Sequence, residues 1–407
     1  MINSPLILPC GLVLKNRIAK SAMSENMSTK SNCPDVEFER LYHRWSAGGS
    51  GLLITGNVMC DHRALGEPNN VIIEKDHACE TGLRAWAKAG TENNTKLFMQ
   101  INHPGKQSPK FLSEVPVAPS AIGFKSSMKA LFNKPRALTE EEIIEIINRF
   151  SYTASRAKSA GFSGVQIHGA HGYLLSQFLS PIHNQRKDQW GGGLENRMRF
   201  ARETYRAIRS EVGKDFPISI KLNSADFQKG GFTEVESMEV VKTLADDGLD
   251  LIEISGGSYE APVMTGAKAK KSTVKREAYF LEYVEKVRKL TKVPLMLTGG
   301  FRTENAMTEA LNSGALDLIG LARSVAIDPD FPIKILNQTN AKSKVKQLST
   351  GIKALDKNIP LEIVWYTAQL HRMGKGKNPN PNASPILAAF RTMAELGINS
   401  IKRTRSL

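Results

Sequence analysis

Two histidines and a tyrosine fall within the run His168-Gly169-Ala170-His171-Gly172-Tyr173. Three chemistries suit such a set. The histidines could ligate a metal, but that needs a third ligand in fixed geometry, and the sequence shows no further His, Cys or acidic cluster to supply it. Each could be a core histidine with its hydrogen bonds satisfied. Or two imidazoles can donate to one oxygen while a phenol delivers one proton, which is equipment for polarising a carbonyl. Two His and a Tyr among glycines favour this third reading over the second.

Lys221 interrupts an apolar run, Ile218-Ser219-Ile220-Lys221-Leu222. An unpaired cation in a buried strand is expensive. It therefore wants an anionic partner, such as a ligand, unless the side chain snorkels to the strand end. Gly299-Gly300 and Ala322-Arg323 are small-residue turns, the second carrying a cation. Exposed backbone N–H groups beside such a charge suit a phosphate.

The elements that position these residues are short apolar runs alternating with amphipathic stretches. Strands are expected at Ile18–Met23, Gly51–Gly56, Lys96–Ile101, Gly164–His168, Pro217–Leu222, Asp250–Ser255, Pro294–Thr298 and Leu316–Gly320. Continuous apolar runs fit strands buried on both faces. Thr139 with Glu142, and Thr233 with Glu236, are capping boxes that open helices. The first helix carries a stripe of Ile143, Ile144, Ile146, Ile147 and Phe150. Alternation implies βαβ units and a parallel sheet, and eight strands favour a closed (β/α)8 TIM barrel of the α/β class over a doubly wound sheet. The polar and glycine motifs all follow strand C-terminal ends: Ser21-Ala22-Met23-Ser24, Gly56-Asn57, Gln100, His168, Ser255-Gly256-Gly257, Gly299-Gly300 and Ala322-Arg323. In a barrel those ends meet on one face, where active sites are built.

Met1–Val13 reads as an N-terminal hairpin, since Pro5, Pro9 and Gly11 break its apolar run. The barrel is expected over residues 1–340. A basic, mostly helical C-terminal extension follows over 341–407, with helices at Leu361–Leu370 and Pro385–Leu396. That extension holds twelve Lys/Arg against three Asp/Glu, leaving +6 of the net +15 for the rest. The excess is therefore a solvated tail more than a nucleic-acid face. No apolar run approaches the roughly 20 residues of a membrane span. Cys10, Cys33, Cys60 and Cys79 contain no C-x-x-C pair, so reduced thiols in a cytoplasmic protein are expected. Two loops stand out. Asn102–Leu138 is long and proline-rich, as lids and binding loops are. Lys268–Arg276 carries five positive charges and no acid. It is either a solvated loop or a guide for an anionic ligand.

The motifs together resemble the old yellow enzyme family of NAD(P)H:flavin oxidoreductases. The matching pieces are Leu14-Lys15-Asn16-Arg17-Ile18, Gln100-Ile101-Asn102-His103-Pro104-Gly105, Ile167 to Leu174, Gln177-Phe178-Leu179-Ser180-Pro181, Asn184-Gln185-Arg186 through Asp188, Trp190-Gly191-Gly192, Glu195-Asn196-Arg197 and Thr298-Gly299-Gly300. The block from His168 to Arg197 is the most specific. The resemblance implies an FMN across the barrel mouth. Ser21, Ala22, Met23 and Ser24 would line its ring, with Ser24 near N5/O4. Gly56 and Gln100 would supply the next contacts, Gln100 at the pyrimidine end. Lys221 would sit near N1/O2 and stabilise the anionic reduced ring. Gly299, Gly300, Ala322 and Arg323 would cradle the phosphate. His168 and His171 would hold the substrate carbonyl, and Tyr173 would donate the proton.

The implied activity is ping-pong reduction of activated C=C bonds in α,β-unsaturated carbonyl compounds. NADPH or NADH is the hydride donor and a small-molecule enone the substrate. Asp328-Pro329-Asp330-Phe331 is followed by no cysteine, so the iron–sulfur cluster of larger relatives is not expected. Two rivals remain. A tRNA dihydrouridine synthase-like enzyme would suit the charge, but its proton donor is a cysteine, and none lies beyond residue 79. A flavin-binding protein without turnover is the other, since barrels host many functions. Homo-oligomerisation stays open.

Overall fold

A computed structural model of the chain describes all residues except 78, 259, 262–276, 353–355, 357–360 and 391–407, and the side chains of 126 and 127. The basic run Lys268–Arg276 and the end of the expected Pro385–Leu396 helix thus lie outside the described residues.

Eight parallel strands close on themselves. They are Ile18–Lys20, Leu52–Met59, Lys96–Asn102, Gly164–Gly169, Ile218–Asn223, Leu251–Ser255, Leu295–Thr298 and Leu318–Leu321, called strands one to eight below. Closure is explicit in the register: Ile319 pairs with Ile18, and Ala19 with Leu52. The expected (β/α)8 barrel is therefore the observed fold. The short strand Val71–Ile72 adds to the outer end of strand two.

The N-terminal hairpin pairs Leu6 with Leu14 across Gly11, whose φ of +88° favours glycine. Its Leu6, Leu8 and Leu14 join Ala19, Leu52, Ile54, Phe98, Leu251, Met296 and Leu318 in one buried cluster, filling the barrel interior. The hairpin thus plugs one end of the barrel and leaves the other for chemistry.

The Glu140–Ala160 helix begins on its capping box, with Thr139 and Glu142 reciprocally bonded, and ends at Gly161 with φ +97°. Ile143, Ile146, Ile147, Phe150, Ala154 and Ala157 are buried. Ile144 is 46% exposed, because it falls off the 3.6-residue stripe to which the sequence had assigned it. The Thr233 box opens the Glu234–Asp246 helix in the same way.

Two findings differ from or extend the sequence expectations. Cys33 and Cys79 form a disulfide, Cα–Cα 5.3 Å, rather than staying reduced. Their 46-residue separation conceals that the Asn32 carbonyl accepts from the Ile72 N–H and the Asn32 amide donates to the Asn70 carbonyl, which folds this loop against the start of the Glu80–Thr91 helix. Cys10 and Cys60 remain free. The helix Leu361–Gly374, in the C-terminal extension, packs on the Val36–Ala47 helix. Trp365, Tyr366, Leu370 and Met373 are its buried face. No helix among the described residues is long and apolar enough to cross a membrane.

Candidate active site

A cavity of about 270 Å³ opens at the C-terminal ends of the strands. Ala22, Met23 and Ser24 line it after strand one, Lys221 from strand five and Ser255 from strand six. Gly299 and Gly300 follow strand seven, and Ala322 and Arg323 follow strand eight. Residues spread over 300 positions are brought together because each lies at or just beyond the C-terminal end of a strand of one closed sheet.

The strand-four cluster stands beside it. The His168 ring lies 4.8 Å from the Tyr173 ring and 5.2 Å from that of His171, which also lines the cavity. His171 has φ +62°, in the left-handed region that its side chain disfavours. Its N–H donates to Asn223 Oδ1 at 3.2 Å, which helps fix that conformation. Its Nε2 is 2.9 Å from Ser255 Oγ. His168 Nδ1 accepts from the Ala170 N–H, 3.3 Å, so in the neutral ring Nε2 carries the proton. Asn57 donates to the Tyr173 hydroxyl at 3.4 Å. Burial pushes both histidines well below the usual imidazole range, with Lys221 adding repulsion. Both rings are therefore neutral at physiological pH. No cluster able to hold a metal includes them among the described residues.

Three of the proposed cofactor residues do not line this cavity. The Ser21 hydroxyl shares a 2.7 Å hydrogen bond with Thr298 Oγ1. The Gly56 N–H donates to Glu25 at 2.8 Å, and a Cβ at Gly56 would strike that carboxylate. Gly56 therefore supports the 22–25 segment from beneath. Gln100 donates to Gln166 at 2.7 Å in the barrel interior. Lys221 has an internal partner where the sequence suggested a ligand: Glu253, 2.9 Å away and fully buried. Glu253 was legible as the lone acid in the apolar strand Leu251–Ser255, paired in register with Lys221.

The residues fit an elongated phosphate-bearing cofactor such as FMN. Gly299 and Gly300 have φ of +141° and +92°, and a Cβ on Gly300 would meet the Tyr279 ring at 2.8 Å. That leaves a bare backbone wall beside Arg323. At the other end Lys221, Ser24 and His171 supply polar contacts. The sequence reading missed two further features. Ser24 donates to the Glu67 carboxylate. And the extension walls the cavity: Glu362, Ile363, Tyr366, Thr367 and Leu370 all line it, with Glu362 bound to Arg323 at 2.8 Å.

Comparison with known proteins agrees with this geometry. Residues 5–342 match the family described as NADH:flavin oxidoreductase / NADH oxidase. The NADH-dependent flavin oxidoreductase iliE of Hypocrea jecorina is 37% identical, over 82% of this chain and 88% of the relative. The NADH-dependent flavin oxidoreductase iccE of Talaromyces variabilis is 34% identical, over 91% and 97%. Among solved structures, an old yellow enzyme homologue from Zymomonas mobilis shares the fold, with TM-score 0.71 and 24% identity over 86% of this chain and 98% of that one.

Proposed function

The chain belongs to the NADH:flavin oxidoreductase / NADH oxidase family, and from that premise we propose that it reduces activated C=C bonds of α,β-unsaturated carbonyl compounds. FMN, when bound, supplies the hydride chemistry, accepting from NADH or NADPH and passing the hydride to the alkene carbon β to the carbonyl. Everything else falls to the chain. The carrying observation is the His168, His171 and Tyr173 cluster beside the cavity that Lys221 enters.

His168 offers Nε2–H to a carbonyl oxygen. For His171 to offer a second donor, Ser255 must donate to its Nε2, which leaves the proton on Nδ1. Two neutral donors on one oxygen draw electron density from the conjugated alkene and favour attack at its β-carbon. Tyr173 then protonates the α-carbon, and Asn57 orients its hydroxyl. Met23 and Ser24 would pack against the ring; Gly299, Gly300, Ala322 and Arg323 would hold the phosphate. Ser21, Gly56 and Gln100 act behind this layer: Ser21 on Thr298, which lines it, and Gly56 and Gln100 on Glu25 and Gln166, which do not. Donor and substrate would occupy the one cavity in turn, as a ping-pong cycle requires.

The test is the purified protein's visible spectrum followed by anaerobic titration. Flavin bands that bleach with NADH or NADPH and return with cyclohexenone support the reading. Bands that bleach but return only with oxygen would reject the enone.

A further inference from the structure

Glu253 is a buried ionisable group that the proposed cycle leaves without a task. It is wholly inaccessible. Its Oε1 lies 2.9 Å from Lys221 Nζ and accepts from Thr298 Oγ1 at 2.7 Å. Its Oε2 accepts from Gln166 Nε2 at 2.9 Å, and Gln166 is held by Gln100. Lys221 and Thr298 also line the cavity. The carboxylate is thus anchored by donors from strands four, five and seven, directly behind the cation that faces the cofactor site.

We propose that Glu253 is a positioning residue that balances the charge of Lys221 and so lowers the reduction potential of the cofactor bound above it. This rests on the reading of the cavity as an FMN site. A solitary buried cation would draw a ligand's negative charge to itself, because interactions between charges strengthen where water is excluded. Here the chain supplies its own counter-ion, fixed before any ligand arrives. Negative charge gathering at the pyrimidine end on reduction meets a nearly neutral pair, not a full positive charge. The bound cofactor is then harder to reduce and passes its hydride on more readily. The arrangement also explains the interior amides: Gln100 and Gln166 hold Glu253 instead of touching the ligand.

The experiment equilibrates the FMN-loaded protein with a reference redox dye at pH 6 and reads both spectra. Glu253→Gln leaves Lys221 unbalanced and should raise the reduced-to-oxidised ratio of FMN about tenfold, which is about 30 mV for a two-electron couple. Glu253→Asp should keep the ratio within about twofold of the parent. Lys221→Gln with Glu253→Gln removes both charges while keeping two hydrogen-bonding side chains. It should also stay within about twofold of the parent if the pair is neutral to the cofactor. Should the single Gln variant not fold, the double variant decides alone. A tenfold shift toward oxidised FMN there would mean that Lys221 acts as an unbalanced cation and would overturn the proposal. An unchanged ratio in Glu253→Gln overturns it equally. A parent protein that takes up no FMN fails differently: it removes the site reading, and this inference with it.

Discussion

At the scale of single residues, the proposed chemistry separates into steps that different side chains control. Tyr173 is needed only where a proton reaches carbon. Tyr173→Phe should therefore slow reoxidation of the reduced protein by an enone ~10²–10⁴-fold, while reduction by NADH or NADPH proceeds unchanged. Stopped-flow absorbance resolves the two halves, and an unaltered enone step would remove Tyr173 from its role. In the proposed reading His168 and His171 would hold an oxygen above the ring, so replacing both with Ala should abolish the long-wavelength band that a phenol forms with oxidised flavin. A retained band at the same affinity would mean that other donors hold it. The closeness of His168, His171 and Tyr173 could be read from the sequence because one strand end carries all three. Ser21, Gly56 and Gln100 were expected to contact the cofactor, but none of the three lines the cavity. A strand end names which residues reach the mouth, whereas side-chain direction depends on neighbours such as Glu25, Thr298 and Gln166, which lie far away in sequence.

At the scale of elements, all eight strands could be read from apolar runs, since a strand buried on both faces has few other compositions. Strand one was read too long: Ser21–Met23 leave the ladder after Lys20, and Ala22 and Met23 line the cavity. The role of the Leu361–Gly374 helix was hidden. Its sequence shows an amphipathic helix but not the surface it covers. It covers the cavity, and Glu362 occupies the guanidinium of Arg323. A phosphate at Arg323 must meet that carboxylate as a like charge. Glu362→Gln should then tighten FMN binding about threefold, in keeping with the modest worth of partly exposed pairs. Arg323→Met should weaken it. Fluorescence quenching of FMN reads both, and weaker binding in Glu362→Gln would show that the carboxylate helps to organise the site instead. The Cys33–Cys79 bond was equally invisible, because nothing local to either cysteine reports the loop that joins them.

At the scale of the whole molecule, the buried His103, His168 and His183 and the partly buried His171 contribute to the response to acid. Burial lowers His103 to about 4 and His183 to about 3, and it holds His168 and His171 well below their usual value. The unfolded chain protonates these groups near pH 6.5 while the folded chain resists. Their contribution is therefore complete above about pH 6.5 and is lost as pH falls toward the folded values, at roughly 1.4 kcal/mol per pH unit for each histidine. Melting midpoints should drop steeply between pH 6.5 and 5; midpoints that stay level would contradict this. The closing of the barrel has a further consequence, for biosynthesis. Strand one pairs with strand eight, Ile18 with Ile319. At ribosomal speeds of ~5–20 residues per second, the first strand waits ~15–60 s for its partner. Through that interval its hydrogen-bonding edge is open to wrong partners. The wall built by Glu362, Tyr366 and Leu370 emerges later still. In the proposed reading, capture of the cofactor would then wait for this helix, and a stalled chain ending near residue 340 should release FMN that one extending past residue 374 retains.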